Sequence, residues 1–140
     1  YLLSTAFEAL GIARGAYDAT LEHARQREQF NRPIGKFPAI SRMINEMLKE
    51  IQASELMAFK AAWKAGKNQN IRQESAMAAW AALDAAQQAV QDSMQIFGGY
   101  GYTMEYDIQR YFRDATVLMN SATAFESLNQ RIALSTGLAG

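Results

Sequence analysis

Hydrophobic residues recur along most of the chain at spacings of three, four and seven positions, the period of one face of an α-helix. From the start of the chain to about Gln29 this spacing predicts one long helix. Its apolar face is predicted to consist of Leu3, Phe7, Leu10, Tyr17, Leu21 and Ala24. A second helix is predicted from about Pro38 to Gly66. Its apolar face is Ile40, Ile44, Met47, Ile51, Leu56 and Phe59.

Three further helices are predicted in the second half of the chain. Asn70 and Gln73 have the spacing of a capping box, so the third helix should begin there and end at the glycines after Phe97. Its apolar face is Ala76, Trp80, Leu83, Val90, Met94 and Phe97. A shorter helix is expected over roughly 105–119. The last helix is expected to follow a capping box at Thr123–Glu126 and to end near Gly137.

The intervals between these helices are short and contain the residues that break helices. The two prolines, Pro33 and Pro38, lie close together, and Phe30–Lys36 is predicted to be a turn. Nowhere does a useful length of sequence alternate between apolar and polar residues as a strand would. The sequence therefore predicts an all-α fold, an up-and-down bundle of the four-helix type, in one domain over residues 1–140.

Composition and charge exclude several classes of function. The chain has 140 residues, of which 49% are hydrophobic and 20% charged, which suits a globular protein with a core. It has 14 basic and 14 acidic residues, no basic excess of the kind that binds nucleic acid. Charges interrupt every apolar stretch, so membrane insertion is not expected. Without cysteine there is no thiolate metal site, and no metal site is predicted.

The segment Arg25–Gly35 is the first candidate for ligand binding. Arginines at a helix end beside a turn could hold phosphate through the guanidinium fork. Basic residues at a helix C-terminus also interact favourably with the helix dipole, and this needs no ligand. The residues by themselves leave both interpretations open.

The segment Gln95–Tyr102 is the second candidate, because Gly98, Gly99 and Gly101 fall within four positions. Glycines let a ligand approach the backbone and reach its N–H groups. A single glycine is also the common cap of a helix C-terminus, so a purely structural role is equally open.

Three long motifs together resemble the C-terminal domain of acyl-CoA dehydrogenases. They are Arg27-Glu28-Gln29-Phe30 with Arg32-Pro33-Ile34-Gly35, the segment Gln95–Tyr102, and Arg110-Tyr111-Phe112-Arg113-Asp114-Ala115. The resemblance covers essentially the whole chain. It implies a tetrameric flavoenzyme with an N-terminal helical domain and a middle β domain, in which this bundle contacts FAD at a subunit interface and acyl-CoA is the substrate.

The resemblance also assigns individual residues. It implies that FAD is contacted by Arg27, Phe30, Gln95, Gly98, Gly99 and Thr123. The expected partners are the other two domains, neighbouring subunits of a dimer or tetramer, and acyl-CoA in the full enzyme. Two positions depart from the family. Asn31 replaces a turn glycine, and Pro38 replaces a glutamine that helps to hold FAD.

The catalytic base of the family is missing from both places where it occurs. The resemblance puts that glutamate at position 122, which is Ala122, or at the start of the first helix, which is Tyr1. Neither side chain is a carboxylate that could take the substrate proton. Glu126 and Glu8 are nearby acids, for which a capping role and solvent contact are the expected roles.

Three hypotheses about function follow. The chain could belong to an acyl-CoA dehydrogenase-like enzyme whose base comes from elsewhere, or to a non-catalytic subunit that pairs with an active one. It could also be a helical interaction module that has lost its flavin. The opening Tyr1-Leu2-Leu3, with neither an initiator Met nor a signal peptide, is expected to mark a fragment of a longer chain. Its expected location is the cytoplasm, or an organelle matrix in a eukaryote.

Overall fold

Five α-helices contain most of residues 1–121 and 125–138, the part of the chain that this computed structural model describes. They are α1 (Leu2–Gln26), α2 (Pro38–Gly66), α3 (Arg72–Phe97), α4 (Ile108–Ser121) and α5 (Phe125–Thr136). Two strands of two residues each, β1 (Glu28–Gln29) and β2 (Arg32–Pro33), form an antiparallel hairpin between α1 and α2. Short 3-10 turns follow at Ile34–Lys36 and Gly98–Tyr102.

Helix α3 is the centre of the bundle, since it packs against each of the other four helices. Helix α1 packs most extensively on α3 and also touches α2 and α4. The connections between the long helices are short, as an up-and-down bundle requires. The predicted all-α bundle is confirmed.

Alanine supplies most of the completely buried residues of α1 and α3. The completely buried alanines are Ala6, Ala9, Ala13 and Ala16 on α1 and Ala76, Ala78, Ala79, Ala82 and Ala89 on α3. On α1 they recur every three or four residues, so they form one continuous face. Because the distance between packed helices depends on the side chains at the contact, a methyl-sized face lets the two backbones approach closely.

A pair of buried hydroxyl groups joins the same two helices towards their C-terminal ends. Thr20 Oγ1 lies 2.7 Å from Ser93 Oγ and 2.7 Å from the carbonyl oxygen of Ala16. Ser93 Oγ in turn donates to the carbonyl oxygen of Ala89 at 2.6 Å. Because a buried hydroxyl without a partner is costly, this pair favours one axial register of α1 on α3.

The predicted apolar faces are only partly correct. Leu10, Ile44, Ile51, Leu83 and Val90 are buried as expected. In contrast, Phe7, Leu56 and Phe59 are exposed by 37%, 72% and 60%. The spacing predicted the right helices but placed some large side chains in the core that are exposed. Many of the most deeply buried positions are alanines instead.

Four of the exposed large side chains lie on α1 and α2. Leu56, Phe59 and Trp63 follow one another on the outer face of α2, and the Phe59 ring meets the Phe7 ring of α1 edge to face at 5.5 Å. We call these four residues the α1–α2 patch. A contiguous exposed apolar surface of this kind is typical of an interaction site.

Several helix ends also differ from the predictions. Helix α1 ends at Gln26 rather than Gln29, because the hairpin begins there. Helix α3 begins at Arg72, and the Asn70 side chain accepts the Arg72 N–H at 3.1 Å instead of forming a capping box with Gln73. Helix α4 begins at Ile108, later than expected. The predicted capping box at Thr123 lies outside the described residues.

Two glycines of α1 provide a test of this packing. A Cβ added at Gly11 would meet nothing within 4 Å, whereas one at Gly15 would lie 2.9 Å from the Tyr111 ring. We expect Gly11→Ala to raise the free energy of unfolding by about 0.5–1 kcal/mol, since alanine loses less backbone entropy in a helix. Gly15→Ala should gain less, because Tyr111 must move. Equal gains in urea denaturation would contradict this description of the α1–α4 contact.

Candidate functional site

The hairpin after α1 positions the first group of candidate residues. Arg27 follows the last residue of α1 in an extended conformation, and its carbonyl oxygen accepts the N–H of Ile34 at 2.8 Å. Phe30 and Asn31 form the two-residue turn and both have positive φ, 54° and 61°, as in a type I′ turn. Asparagine tolerates this conformation, whereas a bulky residue such as Phe30 adopts it only under strain.

Phe30 is therefore displayed at the tip of the hairpin, where it is 87% exposed. Its ring contacts the Phe37 ring at 6.3 Å, and the Arg32 guanidinium carbon lies 4.0 Å from the centroid of the Phe37 ring. Residues with strained backbone conformations cluster at functional sites, which makes Phe30 a candidate for ligand binding. The predicted turn is correct in position, but sequence analysis missed that it is a β-hairpin.

The glycine-rich turn positions the second group. Helix α3 ends at Phe97, and Gly98 has φ 58° and ψ −134°, a combination that essentially only glycine adopts. A Cβ added at Gly98 or Gly99 would meet nothing within 4 Å, so the backbone there is open to a ligand. Gly101 differs, because its Cβ would lie 3.2 Å from Met94 Sδ. Gly98 thus ends the helix and also leaves accessible backbone.

The structure brings these two groups together at one end of the bundle. The guanidinium carbon of Arg27 lies over the Tyr100 ring, 5.3 Å from its centroid. Tyr100 belongs to the glycine-rich turn, so the hairpin residue Arg27 and the Gly98–Tyr102 backbone share one surface. Two segments seventy residues apart in sequence thereby form a single candidate site.

Gln95 and Gly98 also border a groove next to this turn. The groove has a volume of ≈ 460 Å³, and its other lining residues include Tyr102, Phe112 and Arg113. Arg113 comes from the Arg-Asp-Ala motif of α4, and its guanidinium donates to Gln109 Oε1 at 2.7 Å. Arg113 is not among the site residues predicted from the sequence, although it belongs to one of the three family motifs.

His23 lies one helical turn before Arg27 and accepts the Arg27 N–H at its carbonyl oxygen. The His23 ring stacks on the Phe97 ring with centroids 4.0 Å apart. Burial lowers the pKa of His23, and the positive charge of Arg27 lowers it further. His23 therefore favours its neutral form here, and its ring packs against Phe97.

The positions where a catalytic base was sought add no carboxylate. Ala122 and Thr123 lie outside the described residues. Tyr1 is the N-cap of α1 and is 82% exposed. Within residues 1–121 and 125–138, no group of acidic and histidine side chains could hold a metal ion, and no helix combines the length and apolar character needed to cross a membrane.

Comparison with known proteins shows which protein family the chain is related to. Residues 3–122 match the family model described as acyl-CoA dehydrogenase, C-terminal domain. The chain belongs to the acyl-CoA dehydrogenase family. The family resemblance of the sequence motifs is thus confirmed.

Individual relatives agree with the family model. A 3-(aryl)acrylate reductase of Clostridium sporogenes is 41% identical over 83% of this chain and 31% of its own length. Caffeyl-CoA reductase-Etf complex subunit CarC of Acetobacterium woodii is 34% identical over 91% of this chain and 33% of its own. The chain thus spans about a third of the length of the curated relatives it matches.

Solved structures share the fold. Butyryl-CoA dehydrogenase from Megasphaera elsdenii superposes with a TM-score of 0.93 at 32% identity, covering 96% of this chain and 35% of that one. An FAD complex of PigA superposes with a TM-score of 0.89 at 27% identity, covering 94% and 34%. Both the sequence and the fold of this chain are therefore those of an acyl-CoA dehydrogenase C-terminal domain.

The backbone conformation of Gly98 can be tested against that of its neighbour. Gly98→Ala should lower the free energy of unfolding by about 1–3 kcal/mol, because an L side chain is strained at this φ and ψ. Gly99→Ala is the matched control, since Gly99 does not have a positive φ and its Cβ would be unobstructed. It should change stability by less than about 0.5 kcal/mol. Thermal or urea denaturation of the two variants distinguishes them.

The environment of His23 makes a prediction about pH. Because His23 binds a proton less readily in the folded chain than in the unfolded chain, acid favours unfolding. The free energy of unfolding should fall as the pH is lowered through about 6.5, the ordinary pKa of histidine. In the His23→Gln variant, which has no histidine because His23 is the only one, this fall should be smaller. Parallel curves for the two proteins in urea would show that His23 is not responsible.

Proposed function

We propose that this chain is the FAD-contacting and oligomerising domain of an acyl-CoA dehydrogenase-like flavoprotein, which oxidises acyl-CoA thioesters between Cα and Cβ. The observation that carries the proposal is the contact between Arg27 and Tyr100, which puts Arg27 beside the glycine-rich turn and its uncovered backbone at Gly98 and Gly99. The arginine brings a positive charge, and at the two glycines no Cβ covers the main chain. Together they fit a ligand with a pyrophosphate group.

Each residue contributes a different part of the binding. The Arg27 guanidinium can make paired hydrogen bonds to phosphate oxygens, and it keeps its charge at every relevant pH. At Gly98 and Gly99 no Cβ blocks the approach of a ligand to the main chain. Gln95 offers an amide donor and acceptor beside the same groove. Bound FAD would supply the hydride acceptor for the oxidation.

Phe30 and Thr123 complete the proposed FAD contacts. Phe30 is displayed outward by the hairpin, so it can reach a ligand that extends beyond this chain. Thr123 is proposed from its position in the family motif only. The open surface at this end of the bundle suits the adenosine and pyrophosphate half of FAD, and the flavin ring would be held by another domain or subunit.

The α1–α2 patch supports the oligomerising part of the proposal. An exposed surface with two phenylalanines, a tryptophan and a leucine favours association with another surface. Neighbouring domains and subunits are the proposed partners, and acyl-CoA is the proposed substrate of the assembly. The proposed location is the cytoplasm, or an organelle matrix in a eukaryote.

A non-catalytic subunit of a hetero-oligomeric flavoprotein is the second candidate function. It is favoured by the residues at the two base positions, Ala122 and Tyr1, because neither is a carboxylate. One of the relatives is itself named as a subunit of a complex. In this case the chain lends its Arg27 and glycine-rich surface to a flavin whose chemistry is completed by a partner. Turnover of acyl-CoA by a purified homomeric assembly would exclude this candidate.

The proposed contact with FAD can be tested on this chain directly. FAD is titrated into the protein while flavin fluorescence is recorded, with ADP and riboflavin as competitors. ADP should displace FAD and riboflavin should not, because the site holds the pyrophosphate half. Arg27→Gln should weaken binding tenfold or more, the equivalent of about 1.5–3 kcal/mol for hydrogen bonds to a charged group.

Arg72→Gln is the matched control for this experiment. Arg72 is an exposed arginine at the first position of α3, about 37 Å along the helix axis from Phe97 at the other end. The Arg72→Gln variant should bind FAD with the same affinity as the wild type. Displacement by riboflavin, or equal affinity of the wild type and Arg27→Gln, would refute the proposed site.

A further inference from the structure

We propose that Tyr100 is a positioning residue for Arg27, and that an aromatic cluster behind it holds it in place. The inference rests on the proposed function for the identity of the ligand, but its structural part concerns the free protein. The starting observation is the contact between the Arg27 guanidinium and the face of the Tyr100 ring, at 5.3 Å. This distance lies within the range of a cation–π interaction.

Arg27 has no carboxylate of the described residues within ion-pair distance. Its position depends instead on the ring of Tyr100. A carboxylate would occupy the guanidinium N–H groups and neutralise the charge that a phosphate needs. The electron-rich face of an aromatic ring attracts the cation and leaves its charge in place. Tyr100 can therefore order the arginine without competing with the ligand.

Tyr100 is itself held from two sides. Its carbonyl oxygen accepts the Thr103 N–H at 3.1 Å and the Thr103 hydroxyl at 2.9 Å, which fixes the backbone after the glycines. Its ring meets the Tyr106 ring edge to face, with centroids 5.9 Å apart. An unbraced side chain on a turn of this kind would move among rotamers, and the Arg27 contact would be lost for part of the time.

Tyr106 is the central member of the cluster. Besides Tyr100, it meets Phe97 at 5.3 Å and His23 at 6.1 Å, both edge to face. Phe97 is the last residue of α3 and His23 lies in the last turn of α1. The cluster thus connects the ends of the two helices to the ring that supports Arg27. We call Tyr100, Tyr106, Phe97 and His23 the aromatic brace.

A double-mutant cycle tests whether Tyr100 acts through Arg27. In the wild type, Tyr100→Leu should weaken the binding of ADP about two- to fivefold, which corresponds to a partly exposed cation–π contact. Tyr100→Phe keeps the ring and should bind ADP as the wild type does. In the Arg27→Gln background, Tyr100→Leu should have no further effect. If it weakens ADP binding equally in both backgrounds, Tyr100 does not act through Arg27 and the inference is wrong.

The free protein provides a second readout that does not depend on any ligand. In NMR spectra the Cδ protons of Arg27 should be displaced upfield by the ring current of Tyr100. The displacement should disappear in Tyr100→Leu, remain in Tyr100→Phe, and decrease in Tyr106→Leu because the brace is lost. If Arg27 has the same chemical shifts in the wild type and Tyr100→Leu, the inference fails.

The two readouts separate this inference from the proposed function. If the wild type binds neither ADP nor FAD, the proposed function fails, and the NMR experiment alone decides whether Tyr100 positions Arg27. Lys67→Gln is the matched control, because it also removes a cation–π contact, that of the Lys67 ammonium 4.1 Å from the centroid of the Trp63 ring, but at the C-terminal end of α2. It should change neither ADP binding nor the Arg27 signals. Circular dichroism of every variant verifies that the bundle is intact.

Discussion

The close packing of α1 on α3 is the interaction on which the rest of the molecule depends. Each helix offers the other a face of buried alanines, and the Thr20–Ser93 hydroxyl pair favours one register between them. Both helices end at the same end of the bundle, where α1 continues into the hairpin and α3 into the glycine-rich turn. The candidate site therefore depends on helix packing, even though most of its residues lie in the segments that follow the helices.

Much of the fold could be predicted from the sequence because the helical period and the helix breakers are local signals. Pro38 at the start of α2 and Gly98 at the end of α3 stand where their backbone chemistry requires. The buried faces were harder to predict. Hydrophobic periodicity gives weight to large side chains, so it placed Phe7 and Phe59 in the core. The size of the gap between two helices is a tertiary property, and here alanine supplies most of the completely buried residues of α1 and α3.

The candidate site, too, could be predicted from the sequence only in part. The residue types of Arg27 and Gly98 allowed either phosphate binding or a purely structural role, and the resemblance of the motifs to the family favoured contact with FAD. Their proximity could not be derived from spacing along the chain, because it depends on how α1 lies on α3. The hairpin was missed for a different reason. Phe30-Asn31 lacks the Asn-Gly or Asp-Gly signal of a type I′ turn, and each strand has only two residues.

The register contact between Thr20 and Ser93 also limits how this protein can change in length. Arg27 is seven positions after Thr20, and Gly98 is five positions after Ser93. One residue inserted into either stretch would rotate everything beyond it by about 100° around the helix axis, which would turn Arg27 away from the glycine-rich turn. The connection between α2 and α3 carries no such constraint, since it lies at the other end of α3. We therefore expect the connection between α2 and α3 to tolerate a change of length better than the stretches from Thr20 to Arg27 and from Ser93 to Gly98.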